Sequence, residues 1–534
     1  MHTKQFPARL KESIADSFNF QQALKRLKFG KAETPRSWVY EHKDASWILD
    51  TWSKQCQAIC EEKDLNFISD WDLSKSDKFA SQGQVAPFLE RSSTLSEYWK
   101  HLSPSKVFNT SEWNKAISYA VRSLGFNQSG MPRSVDAVIA RGLDDDKYNT
   151  SSGDPLFIKR KKPEAIIQAK IAALNGSWKN FYPVLGSRAS MGKTGTEARW
   201  IFMFPMSVNV VEQTFQQPLQ DYIRNHMKKS TTKLKFFVPW DGYDEVQKII
   251  SQVAPKSAIK FGCDYSKMDQ HFNFSHALQC FKVIKQYFAP KYWNDLYESI
   301  YYTFHCDVVA PDYLISGPHA MPSGSGWTNF LETIFNYILI FYLQIKYHIR
   351  IDQAMGIGDD QLWFLSYPER ALESLTKFIV KQFESVHLAA NAEKQEVSIN
   401  MASFLQRRSY ALWAPHGLQY AGVYPTIRAL TSEVYPEFYH NEKEWSKKTF
   451  ALRCLMILEN CVNHPAFKEF CIFIALGNDN ILEFAKLPDA EILLTRHAAK
   501  KIANFIPTYN QAKLDENPTK FESLKIIREY AMKR

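Results

Sequence analysis

Gly358-Asp359-Asp360 lies between two apolar runs, Ala354-Met355-Gly356-Ile357 before it and Leu362-Trp363-Phe364-Leu365 after it. Two strand-like runs joined by a glycine turn fit an antiparallel hairpin, because Gly supplies the backbone geometry that a tight turn demands. The adjacent carboxylates then sit at the hairpin tip. Carboxylates held close repel each other, and one pKa rises unless a cation neutralises them. Oxygen ligands of this kind suit Mg²⁺ or Mn²⁺. Alone the tripeptide is weak, since chance supplies it in roughly one chain in ten of this length. Its meaning depends on what else the chain brings to the tip.

Upstream, Ala258-Ile259-Lys260-Phe261-Gly262-Cys263 reads as a buried strand ending at Asp264, with Asp269 after it and a helical pattern from about Ser275. A carboxylate at a strand's end can project beside a hairpin tip. Asp264 and Asp359, with Asp360 as a further ligand, could then bridge two Mg²⁺ or Mn²⁺ ions about 3.5–4 Å apart, the spacing used for in-line phosphoryl transfer. The plainer alternative is that Asp264 caps the next turn. Between these elements lies Met321-Pro322-Ser323-Gly324-Ser325-Gly326-Trp327-Thr328-Asn329, leading into a long helix that runs through Asn336. A Ser/Gly loop opening a helix can present backbone donors to a nucleotide; an ordinary N-capped loop would look the same.

Composition limits the class. The 534 residues carry a prior of about three or four domains' worth of mass. With 45% hydrophobic and 23% charged residues, the chain is globular with ample core. Its 66 Lys+Arg against 56 Asp+Glu give a net charge of +10, which favours a polyanionic partner. Cys56 and Cys60 suggest one helical face, and the eight cysteines include no Cys-x-x-Cys pair. That argues against zinc and disulfide frameworks and for a reducing compartment. The N-terminal Met1–Pro7 lacks an apolar signal segment. Phe330–Tyr347 is broken by Glu332, Asn336, Gln344 and Lys346, so it reads as a buried helix and not a membrane span. Ala451–Cys461, Phe467–Leu476 and Ile492–Ile506 read as helices, and the chain turns polar from Gln511.

Aspartate-x4-aspartate, Ser-Gly-x3-Thr and Gly-Asp-Asp follow one another in this order. Here the chain resembles the viral RNA-dependent RNA polymerases, whose motifs A, B and C have this content. The wording Asp264-Tyr265-Ser266-Lys267-Met268-Asp269 and Pro322–Asn329 looks most like the polymerases of picobirnaviruses, double-stranded RNA viruses related to partitiviruses. The resemblance implies an α+β fold shaped as a closed right hand. Residues 1–100 would form an N-terminal region bridging fingers and thumb. The fingers would take 101–257 and 285–318, the palm 258–284 and 319–408, and the thumb with the C-terminal tail 409–534.

The resemblance also implies roles. Ser323, Gly324, Thr328 and Asn329 would meet the nucleotide, and Asp269 its ribose. Gly192–Arg199 resembles motif F, so that Lys193 and Arg199 would grip the triphosphate, with Arg188 a weaker candidate. A P-loop reading of Gly186–Thr194 fails, because five residues separate Gly186 from Gly192 where four are needed. Asn391–Val397 resembles motif D and makes Lys394 the general acid for pyrophosphate, a surface lysine being the alternative. Ser403–Arg408 resembles motif E, with Arg407 and Arg408 beside the primer strand. The basic run Lys159-Arg160-Lys161-Lys162 would line an RNA path, or be a solvated face. One position departs from the pattern: Glu332 stands where picornavirus-type relatives carry an Asn, and Asn329 and Asn336 flank it.

The implied partners are RNA template and product, NTPs and a viral capsid protein, with no membrane. The protein would act as a monomer, in the virion interior and the host cytoplasm, initiating without a protein primer. The polar tail from about 511 would reach toward the cleft. Two rivals remain at this point. A reverse transcriptase is disfavoured by Asp269, where that class places a bulky aromatic, and by the lack of an RNase H-like portion. A non-enzymatic RNA-packaging protein would leave Asp359 and Asp360 as solvated turn residues.

Overall fold

Trp327–Tyr347 folds as the long helix its apolar content demands, and nearly every side chain in its first four turns is buried. A helix apolar on all sides belongs inside a core. It ends where His348 turns left-handed, at φ 55°. The helix Ser111–Leu124 packs along it, with the Ser123 and Tyr337 hydroxyls 2.8 Å apart. In this computed structural model the described residues are 2–145, 147–189, 191–229, 234–437, 445–499, 502 and 517–534.

Beside that helix lies a four-stranded antiparallel sheet in the order Ile351–Ile357, Asp360–Leu365, Ile259–Cys263, Glu396–Ser398. The two central strands are buried along almost their whole length, which explains their unbroken apolar wording. Lys260 is the exception in sequence: it is 2% exposed, and its ammonium donates to the Ser257 and Ile399 carbonyls at 2.7 and 2.6 Å. Large apolar side chains on one face, such as Trp363, Phe261 and Leu365, pack into the same core as the long helix, each contributing about 2–3 kcal/mol by burial.

The chain divides into two units. The first holds Met1–Phe29, Phe88–Ser187 and Trp200–Phe404; the second holds Gly30–Pro87, Arg188–Arg199 and Leu405–Arg534. The first hundred residues, expected as one bridging region, are thus shared between the two. In the first unit a further sheet pairs His2–Lys4 with Leu314–Ser316 and that strand with Val308–Val309.

The second unit is mainly helical. Phe467–Leu476 is a helix as expected. The helix expected from Ala451 begins earlier, at Lys447, because Ser446 caps it by accepting from the Thr449 amide at 3.1 Å. The one expected from Ile492 begins at Asp489 and is described to Ala499; residues 503–506 lie outside the described residues. Asp72 caps the helix Thr426–Val434 from a distant helix, accepting from the Thr426 and Ile427 amides at 2.8 and 2.9 Å. Of the tail, residues 511–516 lie outside the described residues, and Glu522–Lys533 is a helix. Its Ser523 hydroxyl donates to Glu459 at 2.8 Å. Among the described residues no helix is long and apolar enough to cross a membrane.

Candidate active site

The hairpin forms as its sequence requires. Ile357 pairs with Asp360, leaving Gly358 and Asp359 as a two-residue turn. Gly358 sits at φ +61°, a backbone conformation that favours glycine, and a Cβ there would come 2.8 Å from Asn329 Nδ2. Asp359 and Asp360 are exposed. On the neighbouring strand Cys263 pairs with Gln361, so Asp264 follows directly opposite Asp360. Opposed residues in an antiparallel pair have Cα atoms about 4.5–5.5 Å apart. Asp264 and Asp359 therefore meet at one tip, and the register sets Asp360 opposite Asp264. Partial burial and then the nearby Asp359 charge raise the Asp264 pKa, against the lowering effect of Lys394.

A polar network holds this tip from beneath. The Gly358 amide donates to Thr333 Oγ1 at 2.8 Å, and Asn336 Nδ2 donates to the Gly358 carbonyl at 2.8 Å. Asn336 Oδ1 accepts from the Tyr265 hydroxyl at 2.9 Å, and that hydroxyl accepts from Gln361 Nε2 at 3.2 Å. One face of the long helix thus fixes the turn and the strand end together. Glu332 lies on the same face, 4% exposed, and hydrogen-bonds Asp269. Burial, with Asp269 and Asp359 nearby, pushes its carboxyl well above the usual range.

Asp264 is also held from the other side. Its amide donates to Gln395 Oε1 at 3.0 Å, and Gln395 Nε2 donates back to the Asp264 carbonyl at 2.8 Å. The preceding residue, Lys394, is exposed, and its charge is felt by Asp264. Asp269 falls in a short helix, Met268–His271, which the sequence reading did not anticipate.

The Ser323–Gly326 loop is moored to the helix Met206–Lys229. Glu212 is buried there and accepts from the Ser325 hydroxyl at 2.5 Å, the Gly326 amide at 2.7 Å and Asn209 Nδ2 at 2.9 Å. Burial raises its pKa against those bonds. Gly324, at φ +132°, passes so close to Phe202 that a Cβ would lie 2.0 Å from its carbonyl oxygen. Ser323 and Thr328 are half-buried, and Gly324 and Asn329 are exposed.

Comparison with known proteins bears on this geometry. The viral RNA-dependent RNA polymerase family matches residues 194–416. Residues 194–416 are thus similar to a viral RNA-dependent RNA polymerase domain. A similar sequence, a potential RNA-dependent RNA polymerase of human picobirnavirus, is 28% identical over 477 residues, covering 84% of this chain and 83% of the relative. Two crystal structures of the RNA-dependent RNA polymerase of a human picobirnavirus, one lacking an insertion loop, are 21% identical. They cover 99% of this chain and 100% of their own, with TM-scores of 0.79 and 0.77. The fold is that of a right-hand polymerase, of the α+β class.

The remaining candidates are spread more widely. Lys193 and Arg199 are exposed and belong to the second unit, where the Thr194–Glu197 capping box shapes the turn between them. Arg188 is engaged by Glu437 in a 2.8 Å ion pair. The basic run does not act as one patch. Lys159, Lys161 and Lys162 are exposed, whereas Arg160 turns inward, donating to Asn209 Oδ1 at 2.8 Å and to the Ser151 carbonyl at 2.9 Å. Arg160 lines a cavity of about 340 Å³ with Gly324, Ser325 and Gly326. Arg407 corrects the expectation of an RNA-facing cation: it is 7% exposed, and its guanidinium donates to the Asn460 carbonyl at 2.7 Å. Arg408 is half-buried, with its guanidinium over Trp71.

Several working residues escaped the sequence reading. Gln361 could have been found as a lone amide in an otherwise apolar strand. Glu212 and Gln395 give no local signal, because their partners lie 113 and 131 residues away.

Proposed function

We propose that this chain synthesises RNA on an RNA template by two-metal nucleotidyl transfer, with Asp264, Asp359 and Asp360 as the metal-holding groups. The observation that carries the reading is the meeting of Asp264 and Asp359 at one hairpin tip, with Asp360 next to Asp359 in the pairing register, where partial burial and then the Asp359 charge raise the Asp264 pKa. An all-oxygen anionic donor set fits Mg²⁺ or Mn²⁺. When bound, such ions activate the attacking hydroxyl and neutralise the leaving pyrophosphate. Asp269 accepts a hydrogen bond from the ribose and so favours NTPs. Lys394 is the general acid for the departing pyrophosphate, and Lys193 and Arg199 supply charge for the triphosphate. Ser323, Gly324, Thr328 and Asn329 position the nucleotide. The likeness to picobirnavirus polymerases supports a role in copying and transcribing a double-stranded RNA genome without a protein primer. It also supports association with a capsid protein, inside the virion and in the cytoplasm.

The test is an RNA synthesis assay with Mg²⁺ or Mn²⁺ on single- and double-stranded templates, comparing wild type with Asp359→Ala. Incorporation falling by at least about a thousandfold is expected, since removal of one central catalytic group costs on that order. Full incorporation by Asp359→Ala would overturn the catalytic reading, and preference for dNTPs would make the chain a reverse transcriptase.

A further inference from the structure

Ala165, Ala169 and Ala172 are the buried residues of the helix Pro163–Asn175, and the first two share a core with Met206 and Val210. Its large apolar side chains lie on the other side: Ile167, Ile171 and Leu174 are 57%, 56% and 65% exposed. A surface helix ordinarily turns its apolar stripe to the core and its polar one to water. Single exposed apolar residues are common and need no cause. These three recur at intervals of four and three residues, and so form one stripe. The spacing is that of a heptad seam, with Ile171 at an a position and Ile167 and Leu174 at d, a surface that suits another helix.

The stripe offers on the order of 300 Å² of apolar surface, the size at which a patch on a monomer marks a binding site. It falls short of the roughly 800 Å² per partner of a stable interface between whole proteins. That argues against a second copy of this chain and for a short segment. Charge is gathered at one end. Lys159, Lys161 and Lys162 precede the helix and are exposed, whereas Glu164 is the one carboxylate within it. Lys161 donates to the Asn149 side chain, a neutral group, at 2.9 Å, so its charge is not neutralised there. The helix N-terminus adds positive potential at the same end.

We propose that Ile167, Ile171 and Leu174 dock a short amphipathic helix of another protein, apolar along one face and acidic at the end that meets Lys159, Lys161 and Lys162. The partner's apolar face covers the seam, and its carboxylates meet the lysines, which also turn away a basic helix. RNA is the poorer occupant, because the stripe has no aromatic ring on which bases could stack.

The experiment follows the fluorescence anisotropy of a labelled synthetic helix about three turns long on the full chain. Nucleotide and metal are left out, so the outcome is independent of RNA synthesis. The probe carries Leu at a and d, Glu at the flanks and Ala elsewhere. It should bind at least about tenfold more tightly than a scrambled peptide of the same composition, or than one with Lys in place of Glu. Ile171→Glu should weaken binding about tenfold or more, and Lys161→Glu combined with Lys162→Glu about three- to tenfold. A thermal midpoint matching wild type would show each variant folded; if Ile171→Glu is not, Ile171→Ser takes its place. Equal binding of the scrambled or the lysine peptide would overturn the proposal, as would unchanged affinity in the Ile171 variant. Sedimentation showing a wild-type dimer that the Ile171 variant dissolves would give the stripe to a second copy and overturn it as well. So would loss of single-stranded RNA binding in that variant, which would give the stripe to RNA.

Discussion

Asp264 shows how one side chain carries two opposed influences. Burial and the Asp359 charge raise its pKa, while Lys394 lowers it. The lysine therefore belongs to the electrostatics of the site as well as to its outer wall. Replacing it by leucine should lower kcat about ten- to a hundredfold and leave KM for the NTP within about threefold, because general acid catalysis is worth roughly 10²–10⁴. Single-turnover incorporation would check this, and a rise in KM alone would show that Lys394 only holds phosphate. Much at this level was legible beforehand. Asp264, Asp359 and Asp360 were readable because adjacent strands announce themselves by apolar wording, and a carboxylate at a strand's end has few other places to go. Arg407 was misread because the pattern gives a residue's charge but not its direction. Its guanidinium is turned into the second unit, toward Asn460.

Elements are fixed in place by close backbone approaches and by caps supplied from afar. The Gly324 backbone passes under the Phe202 carbonyl in a conformation that side chains rarely adopt. Gly324→Ala must shift one of the two segments, so a loss of about 2 kcal/mol or more is expected, together with reduced NTP incorporation. Thermal unfolding and the incorporation assay would measure both. Asp72→Ala removes the carboxylate that satisfies the first amides of Thr426–Val434. It should cost about 1–3 kcal/mol, read as a lower urea midpoint with unchanged slope. The long helix and the hairpin were legible from periodicity and turn chemistry. The Asp72 cap was not, because the partners are 354 residues apart and a lone Asp carries no address.

For the molecule as a whole, pH should act through buried acids as well as through the site. Glu433 is fully buried, and its pKa is pushed up to about 8 by desolvation, with Arg453 working the other way. The folded state thus holds this proton more tightly than the unfolded chain does. The associated stability is complete below about pH 4.5 and is lost as pH rises through about 8. Glu433→Gln should therefore raise the melting temperature at pH 9 and change it little at pH 5, as calorimetry at the two pH values would show. The division into two units was the least legible property, since each is built from three separate stretches of chain. Long-range assembly also governs when the site comes into being. Gln395 grips both sides of the Asp264 peptide from 131 residues downstream, and the last strand of the sheet follows it at Glu396–Ser398. A nascent chain still emerging from the ribosome would already possess all three carboxylates, yet their geometry would stay open until Gln395 arrived. Competence is thus acquired in one late step of synthesis, and a chain that stops short of it carries the right residues in an unfinished socket.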